Sequence, residues 1–156
     1  MAALAIALCG AGKVHAADCS ITAVSLNFGT YDPLVTGPDD SVGTVTVTCR
    51  YVPKGATVVS YRVTISNGTN GTSPATRQLA AGSARLGYNV FADPARSQVW
   101  GTGTGGTVIA SGSMTIGPGN GNGTRTITHT VYGRIPQLQD AVPGAYNDTL
   151  LVTLTY

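Results

Sequence analysis

The sequence predicts an all-β protein, and three observations carry that prediction. Apolar and polar residues alternate with period two over several short stretches rich in Val, Ile, Thr and Tyr, the pattern of a strand with one buried face. The 156 residues include 22 Thr and 21 Gly but no Glu, which favours short strands and tight turns. No stretch of useful length carries an apolar stripe at helical spacing. With 42% hydrophobic and 10% charged residues, the chain is long enough and apolar enough to bury a core, and its composition argues against disorder.

Residues 1–16 read as a secretory signal peptide. The apolar run Ala2–Ala11 is too short to span a membrane, and Val14-His15-Ala16 places tolerated residues at −3 and −1 of a cleavage site. The mature chain then starts at Ala17. Lys13 follows the run instead of preceding it, which points to a start placed a few residues late. Leu8 is too bulky for a lipoprotein site at Cys9. Residues 17–156 show neither repeat nor linker and form one domain. They carry eight basic side chains, Lys54 and seven Arg, against seven Asp, with no basic cluster to follow a phosphate backbone. Nucleic acid is not a natural partner, and no apolar stretch is long enough for membrane insertion.

Cleavage also leaves an even pair of cysteines, Cys19 and Cys49. In an oxidising compartment they form one structural disulfide, contributing about 3–4 kcal/mol on the chain-entropy model.

Strands follow at a spacing typical of sandwiches. "ITAVSLNFG" places Val24, Leu26 and Phe28 on one face. "GTVTVTCRYV" sets Val45, Val47, Cys49 and Tyr51 against Thr44, Thr46, Thr48 and Arg50. "VVSYRVTISNG" turns Val59, Tyr61, Val63 and Ile65 inward before Asn67-Gly68. "RLGYNVF" offers Leu86, Tyr88 and Val90; "QVWG", "TVIASGSMTI" and "TITHTVYGRI" come next. The closing "GAYNDTLLVTLTY" puts Leu150, Val152, Leu154 and Tyr156 on one side, with Leu151 the exception among the threonines opposite. Seven or eight short strands predict two antiparallel sheets packed face to face. The last of these strands has no successor to pair with.

Motifs for catalysis are absent. "GTGTGG" (Gly101–Gly106) lacks the Lys and Ser/Thr of a phosphate loop and reads as a hairpin loop, as does "GPGNGNG" (Gly117–Gly123). The Asn-x-Thr sequons at Asn67, Asn70 and Asn122 are Asn-Gly turn signals first, and a fourth lies at Asn147. His129 is the only His of the mature chain, no nucleophile elbow accompanies it, and the only neighbouring carboxylates, Asp39 and Asp40, fall in a loop. Catalytic residues, metal ligands and cofactors are therefore none, and the chain does not read as an enzyme.

Taken in order, "DCSITAVSLNFGTYDP", "GTVTVTC", "ATRQL", "LGYNVFAD", "VWGTGTGG", "VYGRIP" and "GAYNDTLLVTLTY" resemble the spore coat protein U domain, the pilin module of archaic (Csu-type) chaperone–usher fibres. The resemblance runs from Cys19 to Tyr156. It rests most on the block Cys19, Phe28-Gly29, Tyr31, Cys49 and on Gly144-x-Tyr146-x-Asp148.

That resemblance implies an incomplete immunoglobulin-like β-sandwich, a pilin fold completed by a donor strand. The implied partners are a periplasmic chaperone, an outer-membrane usher and other pilin or coat subunits, each strand entering by β-strand addition. Leu150, Val152, Leu154 and Tyr156 would form one wall of the donor-strand groove, and Val24, Leu26 and Phe28 the other. Subunits of such fibres usually carry a donor segment before the first Cys. Cleavage after Ala16 leaves only Ala17 and Asp18 there, too few to complete a sheet, so the chain reads as a strand acceptor suited to a cap, a terminus or a non-polymerising coat. Two expectations follow for function: a secreted structural subunit of a surface fibre or coat or, as the alternative, a single-domain or tip adhesin binding a surface or glycan through its loops.

Overall fold

The computed structural model describes residues 17–51, 57–117 and 123–156. The leader read over residues 1–16, Lys54 and the centre of the Gly117–Gly123 loop lie outside the described residues. The fold is all-β, and the strands follow in chain order: β1 (Ala17–Val24), β2 (Asp39–Tyr51), β3 (Thr57–Ile65), β4 (Gln78–Ala81), β5 (Ala84–Gly87), β6 (Asn89–Phe91), β7 (Ala110–Ile116), β8 (Thr124–Ile135) and β9 (Val152–Thr155). One sheet has the order β1-β2-β8-β6 and a second β7-β3-β9, while β4 and β5 make a separate hairpin. Every pairing between these strands is antiparallel.

Alternation sets which side chains meet between the sheets. In β2, Val45, Val47 and Cys49 are buried, and in β3 so are Val59, Tyr61, Val63 and Ile65. The intervening threonines of β2 face outward and pair with those of β8. The hydroxyls of Thr46 and Thr128 stand 3.1 Å apart, as do those of Thr48 and Thr126. Such cross-strand pairs help hold the register of a sheet with one wet face. Cys19 lies directly opposite Cys49 in the β1–β2 ladder and is bonded to it.

Two segments depart from the sequence expectation. "RLGYNVF" is two strands, because the chain changes partners at Tyr88: β5 pairs with β4, and β6 pairs with β8. The Gln139 side chain takes up the backbone there, accepting from the Gly87 N–H at 2.8 Å and donating to the Gly87 carbonyl at 2.8 Å. "QVWG" forms only isolated bridges, Phe91 with Val99 and Trp100 with Val108, and the buried Trp100 indole donates inward to the Val63 carbonyl (2.9 Å).

Among the described residues one charged side chain is almost wholly buried. Arg77, 1% exposed, donates to the carbonyls of Ile65 (3.2 Å), Ser66 (2.7 Å) and Trp100 (2.8 Å) and to the Asn89 side chain (2.7 Å). Its guanidinium thereby ties the β3 end to the Trp100 segment. Burial pulls its pKa down to about 10, against the opposing pull of Tyr88 and Asp148, so it stays charged at neutral pH.

Candidate functional site

A mainly apolar cleft of about 450 Å³, with Ser25, Asn27 and Thr44 among its polar lining, opens between the two sheets on the side of β1 and β9. One wall is the segment running from Ala23 through Val24, Leu26 and Phe28 to Gly29. Tyr146, Asn147, Asp148, Thr149, Leu150 and Val152 form the opposite wall, while Val45, Ile65, Leu79, Tyr88 and Val131 lie beneath. β1 and β9 each end their sheet. Each therefore has one side of its backbone without a ladder partner among the described strands. The first wall is seven residues long, about 20 Å when extended, which is the length of one ordinary strand.

The first wall exists because β1 changes face as it ends. Along β1 the inward side chains are Ala17, Cys19 and Ile21, but beyond it Leu26 and Phe28 are the ones packed on the core. Val24 stands 67% exposed at the cleft mouth, so the single face expected for Val24, Leu26 and Phe28 is broken between Val24 and Leu26. Two glycines make room for this path. A Cβ on Gly43 would meet the Val24 carbonyl at 2.5 Å, and one on Gly133 would meet the Phe28 ring at 2.7 Å and Leu26 at 3.0 Å. The Phe28 ring then stands edge-on to Tyr88, centroids 6.1 Å apart.

In the opposite wall, Leu150 and Val152 line the cleft and are partly buried against the core. Leu154 packs on the core beyond the cleft, opposite Val63 in β3, and Tyr156 lies past the end of β9 at 44% exposure. Regular pairing of this wall with β3 starts only at Val152. Before that point the chain touches the Ala80 backbone through Asn147 (2.8 and 3.0 Å) and the Ser66 backbone N–H through the Leu151 carbonyl (2.9 Å).

Asp148 closes the Gly144-x-Tyr146-x-Asp148 motif, and its position gives it a role that motif spacing does not show. Its Oδ1 accepts from the Thr69 N–H (2.9 Å), the Thr69 hydroxyl (2.7 Å) and the Asn70 amide (3.1 Å), and its Oδ2 from the Tyr88 hydroxyl (2.8 Å). Partial burial opposes its ionisation, but the bonds from Thr69, Tyr88 and backbone N–H groups prevail and hold the carboxyl below its usual 3.8. Burial first, and then the Asp148 carboxylate, push the Tyr88 hydroxyl far up, so it remains a donor.

The other polar candidates have structural surroundings. His129 faces the core, its Nε2 2.8 Å from the Tyr61 hydroxyl and its ring edge-on to Trp100, and burial lowers its pKa. Asp39 and Asp40 open β2 rather than sitting in a loop, because β8 pairs with the chain out to Asp39. Asp40 accepts from Arg134 through both oxygens (2.7 and 2.8 Å), which lowers its pKa, while burial and then Asp40 raise that of Asp39. Asn67 and Asn70 spend their amides on the turn, on Gly71 and on Asp148 with Asn147; the Asn122 sequon lies outside the described residues. Among the described residues no three of His, Cys, Asp and Glu converge as a metal site, and no helix is long and apolar enough to cross a membrane.

Comparison with known proteins agrees with this architecture. Over 138 residues the chain is 29% identical to Protein U of Myxococcus xanthus, an alignment covering 85% of this chain and 72% of that protein. Its fold resembles a chain in the crystal structure of the CsuC–CsuE chaperone–tip adhesion subunit pre-assembly complex from the archaic chaperone–usher Csu pili of Acinetobacter baumannii. That likeness has a TM-score of 0.54 at 24% identity and covers 90% of this chain but only 40% of the other, so it speaks to the fold. The model of the Spore Coat Protein U domain matches residues 5–153, taking in most of the segment read as a leader. A match over nearly the whole chain, joined to a sandwich open between β1 and β9, places this protein in the Spore Coat Protein U domain family.

Proposed function

We propose that the protein is a secreted structural subunit of a surface fibre or coat, passed through the periplasm and assembled by the chaperone–usher route. The observation that carries this reading is the cleft itself: more apolar than polar, one strand long, and flanked by two sheet ends. An extended segment laid there would gain backbone bonds along the free side of the β9 wall and place alternate side chains over Val45, Ile65 and Val131. Each Val- or Leu-sized side chain so buried stabilises the complex by about 1.5–3 kcal/mol. A chaperone supplies the first strand on this reading, and a neighbouring subunit replaces it at the usher. Family membership supports the coat or fibre role, and the fold shared with a chain from a chaperone–subunit complex supports the chaperone.

Expression tests the reading. The chain alone in a periplasm should aggregate or be degraded, since an open apolar edge templates association. A cognate chaperone, or an alternating apolar peptide fused after Tyr156 through a flexible linker, should restore a soluble monomer. Val152→Asp should cancel the rescue by setting an unpaired charge against the incoming strand. A stable, soluble monomer without any partner strand would end the proposal.

A further inference from the structure

The cleft has one wall built into a sheet and one that is largely not. Between Tyr146 and Leu151 the second wall contributes no regular strand, and it is held by its contacts to Ala80 and Ser66 and by Asp148. We propose that Asp148 is a positioning residue, a four-point clamp that fixes the Tyr146–Val152 wall and so sets the width of the cleft. The inference deepens the strand-accepting reading and rests on it for its purpose.

The argument is geometric. Thr69 and Asn70 belong to the turn that follows β3, whereas Tyr88 lies where the chain passes from β5 to β6. One carboxylate therefore joins the wall both to the turn after β3 and to the floor of the cleft. Its neighbours fit it tightly: a Cβ on Gly68, at φ +81°, would overlap the Asp148 carboxylate. An ionised carboxylate can accept all four bonds at once; a protonated or amide group gives up part of that capacity. The groups facing it are the Tyr88 hydroxyl, the uncharged Thr69 and Asn70, and, acting from the buried interior, the Arg77 guanidinium. Among the described residues no second carboxylate acts on Asp148, so protonation of Asp148 itself is what would release the clamp.

The same clamp predicts an acid-sensitive cleft. Because the folded carboxyl titrates below its usual 3.8, the positioning it gives is complete at neutral pH and is lost as the pH falls through that lowered value.

The test uses the full chain refolded with a synthetic peptide of alternating Val and Thr, followed by release of the labelled peptide and by amide hydrogen exchange. At neutral pH, Asp148→Asn should speed release about tenfold and speed exchange of the Thr149–Val152 amides to a similar degree, leaving the centres of β2 and β8 unchanged. Acid should accelerate release from the wild type more than from Asp148→Asn. If Asp148→Asn fails to accumulate, Thr69→Val and Tyr88→Phe, each removing one donor, should give about threefold effects. Unchanged release and unchanged wall exchange in these variants would overturn the clamp. Should the wild type bind no peptide and prove soluble alone, exchange is read on the free chain. A wall loosened by Asp148→Asn would then uphold the clamp while the strand-accepting reading falls.

Discussion

The β2–β8 centre and the cleft walls are built from the same period-two pattern, yet they end as different structures. In the centre, Asp39–Tyr51 and Thr124–Ile135 find each other and pair along nearly their whole length. The wall residues Leu150 and Val152 alternate just as well, but β9 has β3 on one side and an open cleft on the other. Side chains replace the missing ladder: Asp148 for the second wall, and Ser41 for the first. The Ser41 hydroxyl accepts from the Asn27 N–H (3.1 Å) and donates to the Asn27 carbonyl (2.7 Å). The lesson is that an apolar alternation specifies which face is buried, and only a neighbour decides whether a sheet forms.

The comparison can be broken most severely at its shared foundation. Arg77→Met should cost about 3–5 kcal/mol, because the carbonyls of Ile65, Ser66 and Trp100 lose a buried donor that nothing else supplies. Denaturant unfolding of the strand-complemented protein measures it, and a loss below about 1 kcal/mol would show that water substitutes for the guanidinium.

A second substitution should separate the two regions. Gly133→Val places branched carbons where Phe28 and Leu26 now sit, so the first wall should be pushed out while the β2–β8 ladder persists. The expected cost is about 1–3 kcal/mol in stability, with strand binding lost altogether. Retained peptide binding would mean that Leu26 and Phe28 do not shape the cleft.

The smallest effect belongs to the centre. His129→Phe removes the bond to Tyr61 and should cost about 1 kcal/mol without altering strand binding. It should also remove one source of acid sensitivity. With its folded pKa below 6.5, His129 contributes stability that is full above that value and is lost as the pH falls through the lowered one. Unfolding midpoints of wild type and variant between about pH 7 and pH 5 should therefore converge as the pH drops.

The sequence by itself determined the all-β class, the inward faces of β2 and β3, and the pairing of Cys19 with Cys49, because period two and an even cysteine count are local or arithmetical properties. It also marked Leu150 and Val152 as apolar positions on one face of an alternating stretch. Tertiary structure alone decided the rest. Val24 and Leu26 part company because Gly43 and Gly133, far along the chain, leave space for β1 to change face as it ends. "RLGYNVF" divides at Tyr88 because Gln139 supplies the side-chain amide that holds Gly87. Asp148 finds Thr69 and Tyr88 across sequence separations of 79 and 60 residues, and Arg77 finds three carbonyls on two segments. Hydrogen bonds of this kind carry no period and no spacing; they exist only once burial has brought distant backbone together and left polar groups there that must be satisfied.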